Sequence, residues 1–200
     1  MPGYREKDAI SLFNKYKEED VDKIGLDGLE RLYGDLSISL DDIVTLLFAW
    51  RLNTGTLCEI TKDEFLSGLR GMRVCDIRSL KSSIENLRPL IYDQKNFRDF
   101  YLWCFDYFRD SRYKTMDLET AKAVWAQLLK EQYTHLDLWL EFIEANACAI
   151  SRDTYSVFLN FTWSVADDFS GYDDTAAWPV LIDEFVEYAR GKLAEREQEI

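Results

Sequence analysis

Apolar residues recur at helical intervals along nearly the whole chain, and strand-like alternation is almost absent. Ile10, Phe13 and Tyr16 predict a short helix within residues 6–17, followed by a charged connector from Lys17 to Lys23. Leu29, Leu32, Tyr33 and Leu36 mark a second helix. Ser39-Leu40-Asp41-Asp42 has the form of an N-terminal cap with acid in the first turn. The helix behind it, running to Leu52, is apolar almost all round: Ile43, Val44, Leu46, Leu47, Phe48, Ala49 and Trp50. Such a helix is either buried on several sides or forms a groove for a partner. Asn53 to Thr56 turns the chain, Leu57 to Ile60 reads as a short strand, and Thr61-Lys62-Asp63-Glu64 is a capping box for a helix carrying Phe65, Leu66 and Leu69.

Longer helices follow. Ile77, Leu80, Ile84 and Leu87 form a stripe interrupted near Pro89, and Phe97 to Phe108 is dense in aromatics. Asp117 is an N-cap for the helix of Ala121, Val124, Trp125, Leu128 and Leu129; Leu136, Trp139, Leu140, Phe142 and Ile143 make the next. Ser151 caps a helix with Tyr155, Phe158, Leu159, Thr162 and Val165, and Asp153 falls at its second position, favoured there by the helix macrodipole. The last helix begins at Trp178-Pro179. Ile182, Phe185, Val186 and Ala189 form its apolar stripe, and Asp183, Glu184, Glu187 and Arg190 its polar side, which on its own reads as a solvated face. Fraying is expected from Ala194 to Ile200.

The helix–loop–short strand–helix rhythm of the first 75 residues, used twice, suggests EF-hand-like packing; no other internal repeat is evident. A calcium loop needs oxygen ligands at positions 1, 3 and 5, glycine at 6 and glutamate at 12. With Glu30 at position 12, positions 3, 5 and 6 are Val21, Lys23 and Ile24; with Glu64 there, they are Gly55, Leu57 and Cys58. Only the terminal glutamates, the first oxygens (Glu19, Asn53) and the apolar eighth positions (Leu26, Ile60) remain. The loops are therefore degenerate, and no metal or other cofactor is expected.

Composition supports an all-α fold. Hydrophobic residues make up 47% of the 200 and aromatics 14%, enough for a substantial core, while nine Gly and three Pro leave little turn chemistry for a sheet protein. Against 37 acidic residues stand 24 basic ones, a net charge of −13. That disfavours nucleic acid and anionic membranes and favours basic partners. Cys58, Cys75, Cys104 and Cys148 are dispersed, without zinc-site spacing, and each is expected to be structurally buried. With no signal peptide and no run of about 18 apolar residues, an intracellular, reduced, soluble protein is expected. One histidine, His135, supports no nucleophile–base pair, and no phosphate loop is present. A binding protein is predicted, not an enzyme.

The stretch Asp173 to Arg190, together with Ser164 to Tyr172, closely resembles the signature of the potentiating-neddylation (PONY) domain, which defines the defective-in-cullin-neddylation family. Further matches are Lys23 to Gly28, Ala49-Trp50, Leu57-Cys58-Glu59, Asp99-Phe100-Tyr101, Leu136 to Trp139 and Asp153-Thr154, in family order across about residues 4–190. The resemblance implies a single all-α PONY domain over residues 1–200, with an EF-hand-like half (4–75) and a helical half (76–192). No N-terminal ubiquitin-binding domain is expected within these residues.

It also implies a scaffold-type co-E3 without catalytic residues, in the nucleus and cytoplasm, that promotes transfer of the ubiquitin-like neddylation modifier to cullins. By resemblance, Asp153, Ala177 and Asp183 form an acidic patch for the basic C-terminal winged-helix domain of a cullin. An apolar pocket for the acetylated N-terminus of the pathway's E2 falls on Leu26, Leu29, Thr45, Phe48, Ala49, Leu52, Leu57, Cys58, Ile60, Tyr107 and Gln127. Thr45, Leu57 and Gln127 depart from the family in polarity or shape. A RING protein is the remaining expected partner. The alternatives are an EF-hand-like adaptor for calcium or another basic partner and, less favoured, a thiol enzyme.

Overall fold

The computed structural model describes residues 4–198, with side chains to Arg196. Among these residues the chain forms ten α-helices, one 3₁₀ turn and four very short strands, an all-α fold. It divides into two compact units, up to Trp103 and from Cys104 onward. The division falls inside a helix.

The first unit opens with α1 (Glu6–Tyr16), β1 (Lys23–Ile24) and α2 (Leu26–Leu36), then α3 (Ile43–Leu52), β2 (Ile60–Thr61) and α4 (Lys62–Met72). β1 and β2 pair antiparallel, Lys23 opposite Thr61 and Ile24 opposite Ile60, which ties the two helix–strand–helix units together. The ion pair of Lys23 Nζ with Glu59 lies beside the ladder at 2.7 Å. The strand expected over Leu57–Ile60 is shifted and shorter, because Cys58 takes a left-handed φ of 56° and Thr56 bridges back to Glu59. Apolar stripes of α1 and α4 meet at Phe13 and Phe65, whose ring centroids are 5.7 Å apart. Gly68 lets α4 approach α3 closely: a Cβ there would lie 2.1 Å from Leu52 Cδ2. α5 (Ile77–Glu85) stops before the 3₁₀ turn Arg88–Tyr92, where Pro89 breaks the α-helical pattern.

The second unit contains the end of α6 (Gln94–Phe108), then β3 (Thr115–Asp117), α7 (Leu118–Leu129), α8 (Leu136–Asn146), β4 (Ala149–Ser151), α9 (Arg152–Ser164) and α10 (Val180–Gln198). β3 and β4 pair antiparallel over three residues, so helix–strand–helix order recurs here, where no repeat was expected. The reason is length: each strand has a single buried residue, Met116 or Ile150, too few to show a period of two. The core is aromatic. Trp125 of α7 stacks on Tyr155 of α9, and Trp139 of α8 stacks on Phe158 of α9 with centroids 3.9 Å apart. α10 keeps helical geometry past Ala194 to Gln198, where fraying was expected; Glu199 and Ile200 lie outside the described residues.

Candidate functional site

The best-defined site begins where the chain leaves α9. The Val165 N–H donates to the Phe161 carbonyl and closes that helix. A turn then places Phe169 at φ 56° and Gly171 at φ 74°, both left-handed. Glycine takes this conformation freely; phenylalanine holds it because its ring is buried beside Phe161, Phe185 and His135. His135 Nε2 lies 2.5 Å from the Asp167 carbonyl, and Thr134 Oγ1 donates to Asp167 Oδ2 at 3.0 Å, so the loop is fastened to the start of α8. Arg190 of α10 donates to the Phe169 carbonyl at 2.9 Å from the other side.

This anchored loop delivers Tyr172 onto the first turns of α10. Its ring stacks on Trp178, centroids 5.9 Å apart, and the Arg190 guanidinium carbon lies 5.9 Å from its centroid. The Tyr172 hydroxyl donates to Asp183 Oδ1. Burial, then this bond to Asp183, holds the phenol well above its ordinary value. α10 starts as the sequence suggests: the Pro179 carbonyl accepts from the N–H groups of Ile182 and Asp183. Ile182, Phe185, Val186 and Ala189 are all buried. Asp183 is half-buried and Ala177 exposed. These two are linked through Trp178, stacked on the tyrosine that holds Asp183.

Asp153 is exposed at the second position of α9, behind the Ser151 cap, whose Oγ accepts from Thr154 N–H at 3.0 Å. It enters none of the contacts just described; α9 reaches the loop through Phe161, further along the helix. Named contacts therefore tie Asp183 to Tyr172 and Trp178, the neighbour of exposed Ala177, while Asp153 is an exposed acid on α9. Tyr172 and Trp178 belong to the resemblance without a role of their own; the signal available was an aromatic pair flanking an acidic, small-residue turn.

The family described as cullin binding matches residues 79–188, a span that includes Asp153, Ala177 and Asp183. The chain belongs to the cullin-binding family. It is 33% identical to "Defective in cullin neddylation protein 1" of Caenorhabditis elegans, over 96% of this chain and 74% of that protein. It is 34% identical to "DCN1-like protein 3" of Xenopus laevis, over 88% of this chain and 60% of that protein. Identity to "DCN1-like protein 5" of Homo sapiens is 29%, over 94% of this chain and 79% of that protein.

In this cullin-binding chain the second set of expected residues falls mostly before the matched span. In the first unit, Leu29, Thr45, Phe48, Ala49, Leu52 and Ile60 are buried, while Leu26, Leu57 and Cys58 are exposed, Leu26 by 56% and Leu57 by 47%. The Thr45 hydroxyl donates to the Asp42 carbonyl at 2.8 Å, so its polarity is satisfied within α3. Tyr107 on α6 and Gln127 on α7 belong to the second unit, both half-buried. Burial was expected for all four cysteines, yet only Cys75 and Cys104 are buried. Cys58 is displayed by its left-handed turn, and Cys148 by the tight connection between α8 and β4. Burial pushes the Cys104 thiol well up, which opposes a nucleophilic role.

The loop before α4 is closed by hydrogen bonds to Glu64. Glu64 Oε2 accepts from Thr61 N–H and Oε1 from Gly55 N–H, at 2.7 and 2.9 Å. Asn53, the first-position oxygen, is instead the left-handed C-cap of α3. Asn53 and Glu64 thus both serve at helix ends, as the C-cap of α3 and in the capping box of α4.

Proposed function

We propose that this protein acts in cullin neddylation as a non-catalytic co-E3 scaffold. The observation that carries the reading is the family match over residues 79–188, a span that holds an exposed Ala177 and, in the first turn of α10, an Asp183 bonded by Tyr172. Asp183 and Asp153 offer carboxylates for charge-assisted hydrogen bonds from the basic side chains of a cullin winged-helix domain. Ala177, without a bulky side chain, lets the partner's backbone approach. The charge of −13 has the sign to attract such a surface.

The second contact is with the E2. In this reading Leu26 and Leu57, both exposed, form the rim of an apolar receptor, and the buried Leu29, Phe48, Leu52 and Ile60 form its floor. Acetylation removes the positive charge of an N-terminal methionine, which an apolar floor would otherwise bury unpaired. Holding cullin and charged E2 together, with a RING protein, raises the effective concentration of the thioester near the acceptor lysine. Proton transfer is not needed from this chain. The expected location is nucleus and cytoplasm, where a fluorescent fusion would be seen.

The deciding experiment measures binding of a purified cullin C-terminal winged-helix domain by calorimetry, alongside reconstituted neddylation. Asp183→Arg is expected to weaken binding by roughly 1–3 kcal/mol and to slow cullin modification. An unchanged affinity would remove the docking assignment. For the E2 contact, an acetylated N-terminal peptide is expected to bind more tightly than the unacetylated one, and equal affinities would reject acetyl recognition.

A further inference from the structure

We infer that Tyr172 is a positioning residue of the docking patch, fixing the rotamer of Asp183 before the basic partner arrives. The inference rests on the docking role proposed for Asp183. Three features make Tyr172 suited to it. Its ring cannot drift, because Trp178 stacks on one part of it, Phe161 meets it edge-on at 6.0 Å, and Arg190 lies over it. Its loop cannot drift, because Phe169 is buried and its carbonyl is held by Arg190. Its hydroxyl reaches one oxygen of Asp183, Oδ1, and no second hydrogen bond to that side chain is seen among the described residues. Oδ2 is thereby left for the partner.

The bond adds to the Arg190–Phe169 link a direct tie between the loop carrying Tyr172 and the carboxylate in the first turn of α10. An aspartate on a helix surface samples several rotamers, and a partner must immobilise it at a cost in affinity. A hydroxyl donated by a fixed ring removes that cost beforehand. Tyr172 touches the partner only through Asp183, so it positions and does not itself bind.

The test is a double-mutant cycle read by calorimetry with the cullin winged-helix domain, using wild type, Tyr172→Phe, Asp183→Ala and both together. Phenylalanine keeps the stacking on Trp178 and removes only the donor. Tyr172→Phe is expected to lose about three- to tenfold in affinity. It should lose nothing further when Asp183 is already alanine, and the salt dependence of binding should be unchanged because no charge is altered. Wild-type affinity in Tyr172→Phe, with a clear loss in Asp183→Ala, overturns the positioning role and leaves the docking role standing. Additive losses overturn it too, since they place Tyr172 in a separate, merely structural role. Wild-type affinity in Asp183→Ala overturns the docking role itself. A spectroscopic measurement needs no partner: the ultraviolet phenolate titration, as the difference between proteins with and without Tyr172. Its midpoint is expected to fall when Asp183 is replaced by alanine or asparagine with the helical circular dichroism of the wild type retained, and an unmoved midpoint overturns the inference.

Discussion

Asp153 and Asp183 are both carboxylates in the first turn of a helix, yet their surroundings separate them. Asp153 is exposed behind the Ser151 cap, so its contribution to folding is the macrodipole interaction, about 0.3–1 kcal/mol. Asp153→Asn is therefore expected to lower unfolding free energy by less than about 1 kcal/mol in urea titration. If Asp153 also docks the cullin, the same variant should weaken that complex by more than it weakens the fold. Asp183 is coupled to Tyr172, and this coupling has a pH signature. The Tyr172 phenol is raised above its ordinary value of 10.0 by burial and by the bond to Asp183. A raised folded value means its stabilisation is fully present below pH 10.0 and is lost as pH rises toward and through the folded value. Stability of the wild type should decline above pH 10.0, and that of Tyr172→Phe should decline less steeply, as melting temperatures across pH 8–11 would show. The Ser151 cap and the place of Asp153 behind it were legible, because capping depends on adjacent residues. The Tyr172–Asp183 bond was not, because it spans eleven positions and depends on a left-handed Phe169 that no propensity favours.

Helices were readable from the sequence and strands mostly were not, and the cause is length. α10 carries four buried residues in phase, whereas β1 and β2 have two residues each. The capping box of α4 was visible as Thr61 and Glu64, and both reciprocal hydrogen bonds are present. What no pattern displayed is that the same Glu64 also holds the Gly55 N–H and so closes the loop between α3 and α4. Glycines make a sharper comparison, since identical substitutions should have opposite signs. Gly68 is buried on α4, and an added Cβ would lie 2.1 Å from Leu52 Cδ2 and 3.1 Å from its Cα. Gly34 on α2 has open space around it. Gly34→Ala should stabilise by about 0.5–1 kcal/mol through helix propensity. Gly68→Ala should destabilise by about 1–3 kcal/mol through overpacking, despite the same propensity gain. Chemical denaturation of the two single variants checks both signs. Because Leu52 is also a proposed floor residue, Gly68→Ala should weaken the acetylated E2 peptide as well, whereas Gly34→Ala should leave it unchanged.

Across the whole molecule the acidic excess supplies a field that no single contact contains. The apolar stripes and the charge were plain in the sequence, and so was the acidic side of α10. That side does not act as one unit: Asp183 is half-buried and bonded, while Glu184 and Glu187 are exposed. The site could not be composed from sequence pattern alone, because its partners lie on α9, on the 165–179 loop and on α10. The separation predicts different kinetic roles. Exposed charges act at a distance over a Debye length, about 10 Å at 0.1 M salt and about 3 Å at 1 M, whereas a desolvated contact persists after encounter. Replacing Glu184 and Glu187 together by glutamine should slow association with the cullin winged-helix domain severalfold at 50 mM salt and have little effect on dissociation. Asp183→Ala should instead chiefly speed dissociation. Raising salt to 500 mM should bring the association rates of wild type and the double glutamine variant together, since the field that distinguishes them is then screened. Stopped-flow association and displacement measure the two rates separately. Equal association rates at low salt would show that the acidic face of α10 serves solubility alone, with docking left to the patch at its first turn.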